Sequence, residues 1–313
     1  RQAMADIVLH EADAHLYGPV LGLPALRQEI AQQWTAGYGG VVTADKVAIT
    51  AGCNQAFAAA IATLCGDEDE VIIPVPYYFN HRMWLDMSGV KTVPLMTGEG
   101  MVPLAEDAAK LITNRTRAIA LVSPNNPCGV EYPAATLRDF IDLAHWDDTL
   151  IQLYSFSKAY RLTGHRVGAV IASQARLAEI EKFLDTVTIC PNQLGQRAAL
   201  WGMQHLGDWL ASERLEILDR RAAIEENFPL LAAKGWQLLG CGAYFAYVAH
   251  PFAMSSANLA PILVKEASVL LLPGAMFMPA DLPGGEAQLR IAFANIDRAG
   301  VATLFNRLSS LTL

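Results

Sequence analysis

Short, continuous apolar runs alternate with amphipathic stretches along most of the chain. The runs are KVAIT (46–50), EVIIPVP (70–76), TRAIALVSP (116–124), TLIQLYSFS (149–157) and RVGAVIAS (166–173). Between several of them lie NQAFAAAIATL, LAEDAAKLI and AATLRDFIDLA, whose apolar residues recur at helical spacing. Apolar strands separated by helices predict an α/β fold, with a mostly parallel sheet covered by helices on both faces. From Asn192 to about Lys234 the pattern is long and helical. The shorter runs AYFAYVAH (243–250), SVLLLP (268–273) and AQLRIAFA (287–294) then predict a smaller α+β domain. The expected division is a large domain over 31–205 and a small C-terminal domain over 206–313. Residues 1–30 are a segment that joins the small domain or bridges to a partner.

Hydrophobic residues make up 53% of the 313 positions and charged residues 17%, which fits a packed globular chain and not a disordered one. The net charge of −8, with no Lys/Arg-rich run, argues against a nucleic-acid surface. No apolar stretch has the length of a membrane span. AGCNQAFAAAIATLCG comes nearest and is broken by Asn54 and Gln55. The cysteines (53, 65, 128, 190 and 241) are odd in number and lack metal-ligand spacing. They read as free thiols in a reducing cytoplasm, with no metal site. No signal-like segment opens the sequence, which gives the same cytoplasmic expectation.

Four stretches at strand ends carry candidate chemistry. TAGCNQA (50–56) is a strand, a glycine turn and a helix start, where free backbone N–H groups can receive a phosphate. PVPYYFNH (74–81) places two tyrosines where an aromatic face can stack on a flat ring. In SPNNPCG (123–129), Asn126 precedes a proline and can aim its amide at a ligand oxygen. SFSKAYRLTGHRVG (155–168) sets Lys158 beyond an apolar strand and Arg166 eight positions later. A lysine at such a place can act as a nucleophile toward a carbonyl, and Ser155, Ser157 and Arg166 can hold a phosphate. Each stretch alone is also an ordinary turn, a core tyrosine pair or a surface lysine.

SFSKAYRLTGHRVG resembles the Schiff-base lysine segment of the class I/II aminotransferases, the fold-type-I enzymes related to aspartate aminotransferase that use pyridoxal 5′-phosphate (PLP). YGPVLGLPALR (17–27), TAGCNQA, PYYFNH, NNPCG and LRIAFAN (289–295) follow in the family's order and span nearly the whole chain. The resemblance implies a large PLP-binding domain, a smaller α+β domain and a homodimer with shared active sites. It implies that Lys158 forms the Schiff base and moves the proton, that Asn126 bonds the PLP phenolic oxygen and that Tyr78 stacks on the ring. Gly52, Cys53, Asn54, Ser155, Ser157 and Arg166 would hold the phosphate, Tyr17 would reach the neighbouring subunit's phosphate, and Arg290 would clamp the substrate α-carboxylate. The implied reaction exchanges an amino group between an L-amino acid and a 2-oxo acid. A PLP-dependent C–S β-lyase and a non-catalytic aminotransferase-like ligand-binding protein are the alternatives. No second cation for a dicarboxylate substrate is assigned: Arg82, Arg161 and His81 lie near the right segments, where surface or structural roles fit them better, and Tyr17 and Phe277 suggest apolar substrates.

One part of the family pattern is missing. The family sets a carboxylate against the ring nitrogen, on a strand between the NNPCG-like and lysine segments, in an Asp-x-x-Tyr-like motif. Residues 130–157 hold a helix, then HWDD, then the lysine strand, so one strand–connection unit is absent near 144–145. Asp148 precedes Lys158 by ten residues, roughly 33 Å of extended chain, and so belongs at the opposite end of the sheet. Either the natural chain carries residues here that this sequence lacks, or the unit is deleted. The intact flanking motifs favour the former.

Overall fold

The computed structural model describes residues 1–144 and 149–311. In chain order its elements are α1 (Gln2–His10), α2 (Pro24–Tyr38), β1 (Val47–Thr50), α3 (Cys53–Leu64), β2 (Glu70–Val75), α4 (Phe79–Met87), β3 (Lys91–Met96), α5 (Ala105–Leu111), β4 (Thr116–Ile119), α6 (Ala134–Leu143), β5 (Gln152–Ser155), α7 (Phe156–Ala159), β6 (Gly168–Ile171), α8 (Gln174–Thr188), α9 (Gln193–His205), α10 (Gly207–Ala232), β7 (Gln237–Gly242), β8 (Phe245–Ala249), α11 (Ser256–Ala267), β9 (Leu272–Pro273), β10 (Gln288–Ala292) and α12 (Arg298–Ser309). They form two compact units, each built from two chain segments: residues 1–66 with 144–212, and 67–143 with 213–313.

The first unit is a three-stranded sheet, β1-β6-β5, between helices. VAIT and GAVI are apolar without alternation, and both strands are buried along their whole length, as strands covered on both faces must be. Leu26, Ile30 and Trp34 of α2 pack with Ile49, Ala169, Phe156 and Ala199. A second cluster joins Ala56 and Ala59 of α3 to Leu177, Ile180 and Leu184 of α8, with Ala48 and Val170 from the sheet. Pro24 starts α2 and Gly39 ends it in the left-handed conformation, the usual division of labour between these residues. Ser173 and Asn192 cap α8 and α9 by accepting backbone N–H groups.

The second unit contains two sheets. In β3-β2-β4 both pairings are parallel. Ile72 and Leu95 of this sheet pack on Ala108 of α5 and Phe140 of α6. The antiparallel sheet β7-β8-β10-β9 packs on Ala223, Ile224 and Leu231 of α10, Leu259 and Leu263 of α11, and Phe305 of α12. A buried carboxylate, Glu70, accepts from Thr113 at 2.6 Å, Arg115 at 3.2 Å and Lys91 at 3.3 Å, tying together the entry ends of β2, β3 and β4. Those bonds, the Thr113 one first, hold its pKa below the usual carboxylate range.

The α/β class stands, but strand directions in the first unit differ from the parallel expectation. β1 and β5 both run antiparallel to β6. The chain passes from β5 to β6 through α7 and a 3-10 turn, without a full crossover helix, and so it doubles back. Parallel pairing among the described residues is confined to β3-β2-β4, where α4 and α5 supply the connections. Two strands escape the pattern reading. β3 contains Pro94, which is tolerated at a sheet edge, and β7 is weakened as a signal by Gly240 and Gly242. Asp147, Asp148 and the junction after Ala144 lie at 145–148, outside the described residues.

Candidate active site

In the first unit, β1 ends at buried Thr50, whose hydroxyl donates to Gly52 O at 3.0 Å. Gly52 then turns with φ 88° and ψ 164° and caps α3 without a side chain. The first N–H groups of α3, from Cys53 and Asn54, therefore point outward at the positive end of the helix. The Arg166 guanidinium lies against Gly52, so closely that a β-carbon there would collide with Nη2. Nη1 of Arg166 donates to Thr163 O at 2.8 Å and to Ser157 Oγ at 3.3 Å. Burial pushes the Cys53 thiol up to about 11, partly offset by Arg166, so Cys53 is neutral here.

Lys158 sits on the single turn α7, with its side chain exposed. Ser155 caps that turn, its Oγ accepting the Ser157 N–H at 3.3 Å. The strand β5 thus delivers two hydroxyls and a lysine in four residues, beside an arginine held over a helix N-terminus. Such a set of donors suits a phosphate dianion with a carbonyl near the lysine. Tyr17 belongs to the same unit. It is 83% exposed and lines a surface cleft with His15, Cys190 and Gln193, to which none of the phosphate-type donors contributes.

In the second unit, Arg290 projects from β10 and its Nη1 donates to Asn126 Oδ1 at 2.8 Å. Its guanidinium carbon lies 4.5 Å from the Phe245 ring centre and 5.1 Å from that of Phe277. Nε is buried with no acceptor. Burial lowers the pKa of this guanidinium, with Tyr78 and Tyr244 opposing the shift. Tyr78 caps α4, accepts from Asn80 Nδ2 at 2.8 Å and meets the His81 ring edge-on. The loop bearing Asn126 is pinned by Asn125, which accepts the Cys128 N–H at 3.2 Å and donates to Tyr132 at 3.0 Å. Gly129, with φ 74°, leaves the loop against the carbonyls of Gly242 and Phe245, where a side chain would not fit.

Sequence reasoning passed over Asn125, Tyr244 and Phe245. Asn125 was visible only as the first letter of NNPCG, and the two aromatics resemble any alternating strand. The cations read as surface or structural, Arg82 and Arg161, have partners on their own surfaces. Arg82 pairs with Asp86 at 2.6 Å one helical turn away, and Arg161 lies over the Trp209 ring at 5.6 Å. Burial pushes the His81 imidazole down to about 4. None of the five cysteines is in a disulfide. No helix among the described residues is long and apolar enough to cross a membrane. Among the described residues Glu70 is the sole buried carboxylate, and its oxygens are taken.

The family model for aminotransferase class I and II matches residues 1–151 and 145–308. Its two segments overlap at 145–151. The aromatic aminotransferase ISS1 of Arabidopsis thaliana is 25% identical over 327 aligned positions, covering 93% of this chain and 80% of the relative. That alignment is longer than the 313 residues of the chain, so part of the relative has no counterpart here. An aspartate aminotransferase of Pyrococcus abyssi is 26% identical over 319 positions, 89% of this chain and 79% of the relative. A mutant aspartate aminotransferase of Thermus thermophilus superposes with a TM-score of 0.90 at 22% identity, over 98% of this chain and 91% of that one, which shows the shared fold. With a family model spanning almost its entire length, the chain belongs to the class I and II aminotransferases and is a transaminase.

Proposed function

We propose that the chain exchanges an amino group between an L-amino acid and a 2-oxo acid, with PLP bonded to Lys158. The observation that carries this reading is the Arg166 guanidinium held over Gly52 and bonded to Ser157, next to the lysine. When bound, the cofactor supplies an electron-accepting ring and a carbonyl carbon that exchanges its oxygen for the amino group. The N–H groups of Cys53 and Asn54, the hydroxyls of Ser155 and Ser157, and Arg166 would hold the phosphate at the Gly52 turn, the Gly52 N–H itself being donated to Thr50 O at 2.8 Å. Lys158 would hold the cofactor at its carbonyl carbon, and its amine would take up and return the substrate Cα proton.

Asn126 donates from Nδ2 to the phenolic oxygen, because its Oδ1 is already occupied by Arg290. Tyr78 stacks on the ring. Arg290 binds the α-carboxylate, whose oxygen would satisfy the buried Nε. Tyr17 reaches the phosphate of a second copy, giving a homodimer with shared sites in the cytoplasm. The domain division remains 1–30, 31–205 and 206–313.

Amino acids with apolar side chains are the proposed donors. Phe245 and Phe277 flank Arg290, while Arg82 and Arg161 are committed elsewhere, so no second cation is assigned for a dicarboxylate. The relatives include an enzyme named for aromatic substrates and one named for aspartate. The test is to add PLP, reduce with borohydride and map tryptic peptides. A phosphopyridoxyl group on Lys158, blocking cleavage there and extending the peptide to Arg161, is the expected result. An unmodified Lys158 would reject the reading. In a panel of donors with a common 2-oxo acid, phenylalanine or leucine should outperform aspartate, and strict preference for aspartate would reject the apolar pocket.

A further inference from the structure

Tyr17 is 83% exposed, so contacts of its own ring do little to place it. Its position is set by the backbone that follows it, YGPVLGL (17–23), which is strapped onto the start of α9 and onto β1. The Gly18 N–H donates to Cys190 Sγ at 3.4 Å, and the Ile49 N–H of β1 donates to Leu21 O at 2.9 Å. Gln196 closes the strap. Its Oε1 accepts the Leu23 N–H at 2.6 Å, and its Nε2 donates to Pro191 O at 2.9 Å. The side chain is 1% exposed and uses both ends on backbone groups, as a buried amide must. The packing around it is tight. A β-carbon on Gly22 would collide with Ile49 and Gln196, and one on Gly18 would collide with Gln193 Nε2. Gln193, Gln196 and Arg197 stand three and four positions apart on α9, so they share one face of the helix. They meet Gly18, Leu23 and Glu11 respectively. One helix face thus grips the chain on both sides of Tyr17.

We infer that Gln196 is the positioning residue for Tyr17: by fixing the 17–23 backbone of its own chain, it sets where the Tyr17 hydroxyl meets the cofactor phosphate of a second copy. The inference rests on the shared-site reading above and names the residue through which that reading operates. Gln196 touches no cofactor and acts through Tyr17 alone. A misplaced Tyr17 then harms the neighbour and spares the chain that carries the change. Loss of Gln196 therefore has a signature that an ordinary packing defect lacks. The PLP affinity of one subunit falls when the substitution lies in the other.

The test uses heterodimers of the full chain, made by co-expressing two differently tagged copies. Each is titrated with PLP and reduced with borohydride, and the adduct on Lys158 is measured by peptide mapping. One copy carries Lys158→Ala, so the adduct reports only the other copy. In the first heterodimer, Lys158→Ala pairs with Gln196→Met, and the reporting site receives an intact Tyr17 segment. Its half-labelling concentration should match that of Lys158→Ala paired with wild type. In the second, one copy carries both substitutions and wild type reports. Half-labelling should there need roughly tenfold more PLP or beyond, the worth of one hydrogen bond to a charged group. The reverse order, an equal shift in both, or no shift in either would overturn the inference. If Gln196→Met does not fold, Gln196→Asn, shorter by one methylene, takes its place. Tyr17→Phe in the same two arrangements tests the shared site by itself. A shift that follows the neighbour keeps that reading even where Gln196 fails, and no such shift rejects both together.

Discussion

Arg290 and Asn126, 164 residues apart in the chain, share a hydrogen bond of 2.8 Å from Nη1 to Oδ1. The bond fixes both side chains. It turns the Asn126 amide so that its NH2 group is the end left to donate, and it holds the guanidinium plane between Phe245 and Phe277. Arg290→Lys keeps the charge but loses the planar fork and the stacking. The loss of one or two charged hydrogen bonds, about 1.5–3 kcal/mol, should lower kcat/KM for amino acids roughly 10- to 100-fold. Steady-state kinetics would check this, and an unchanged kcat/KM would remove Arg290 from the carboxylate role.

Gly52 should not tolerate a side chain. Its φ of 88° with an extended ψ is a conformation that costs other residues about 1–3 kcal/mol, and Arg166 already fills the space above it. Gly52→Ala should therefore lower the melting temperature and raise the dissociation constant for PLP. Arg166→Ala should raise the dissociation constant by at least tenfold with a smaller change in melting temperature, since Arg166 is exposed. Equal PLP affinity in wild type and both variants would mean that the phosphate binds elsewhere.

Acid should weaken the second unit through His81. Burial pushes its imidazole down to about 4 from an ordinary value near 6.5. Between those values the unfolded chain binds a proton that the folded chain does not, so stability falls as pH drops through that window. Above about 6.5 the group is neutral in both states and contributes no pH dependence. Urea titrations from pH 7.5 to about 4.5 should show a steeper decline for wild type than for His81→Gln. Parallel curves would assign the acid sensitivity to other groups.

Tyr17 is exposed with Leu9 and Leu16 near the start of the chain, and a shared active site needs a second copy to receive it. Light scattering during gel filtration should give about twice 33.9 kDa. Tyr17→Ala should weaken PLP binding while leaving the melting temperature of the unit nearly unchanged, because the side chain packs little within its own chain. A monomer with full PLP affinity would rule out the shared site.

Much of the candidate site was legible before any coordinates. Lys158, Asn126, Tyr78 and the Gly52 turn sit in short segments whose spacing is local, and a local spacing survives in the letters of a sequence. β1, β2 and β6 were legible for the same reason, since strands covered on both faces are written as unbroken apolar runs. β3 and β7 were not, because Pro94 and two glycines interrupt the run while neighbouring strands supply the pairing. The absent strand unit was read from the sequence alone, as a distance too short between Gly129 and Lys158.

The sequence by itself thus determined the α/β class, the order of the motifs and the family, all of which depend on residue type and local period. Only the tertiary structure decided that β5 and β1 run antiparallel to β6, that Arg166 covers Gly52, and that Arg290 rather than solvent occupies Asn126 Oδ1. These are contacts between residues far apart in the chain. Apolar periodicity says which face of an element is buried, but the partner on that face is chosen by packing and hydrogen bonding among all the elements at once.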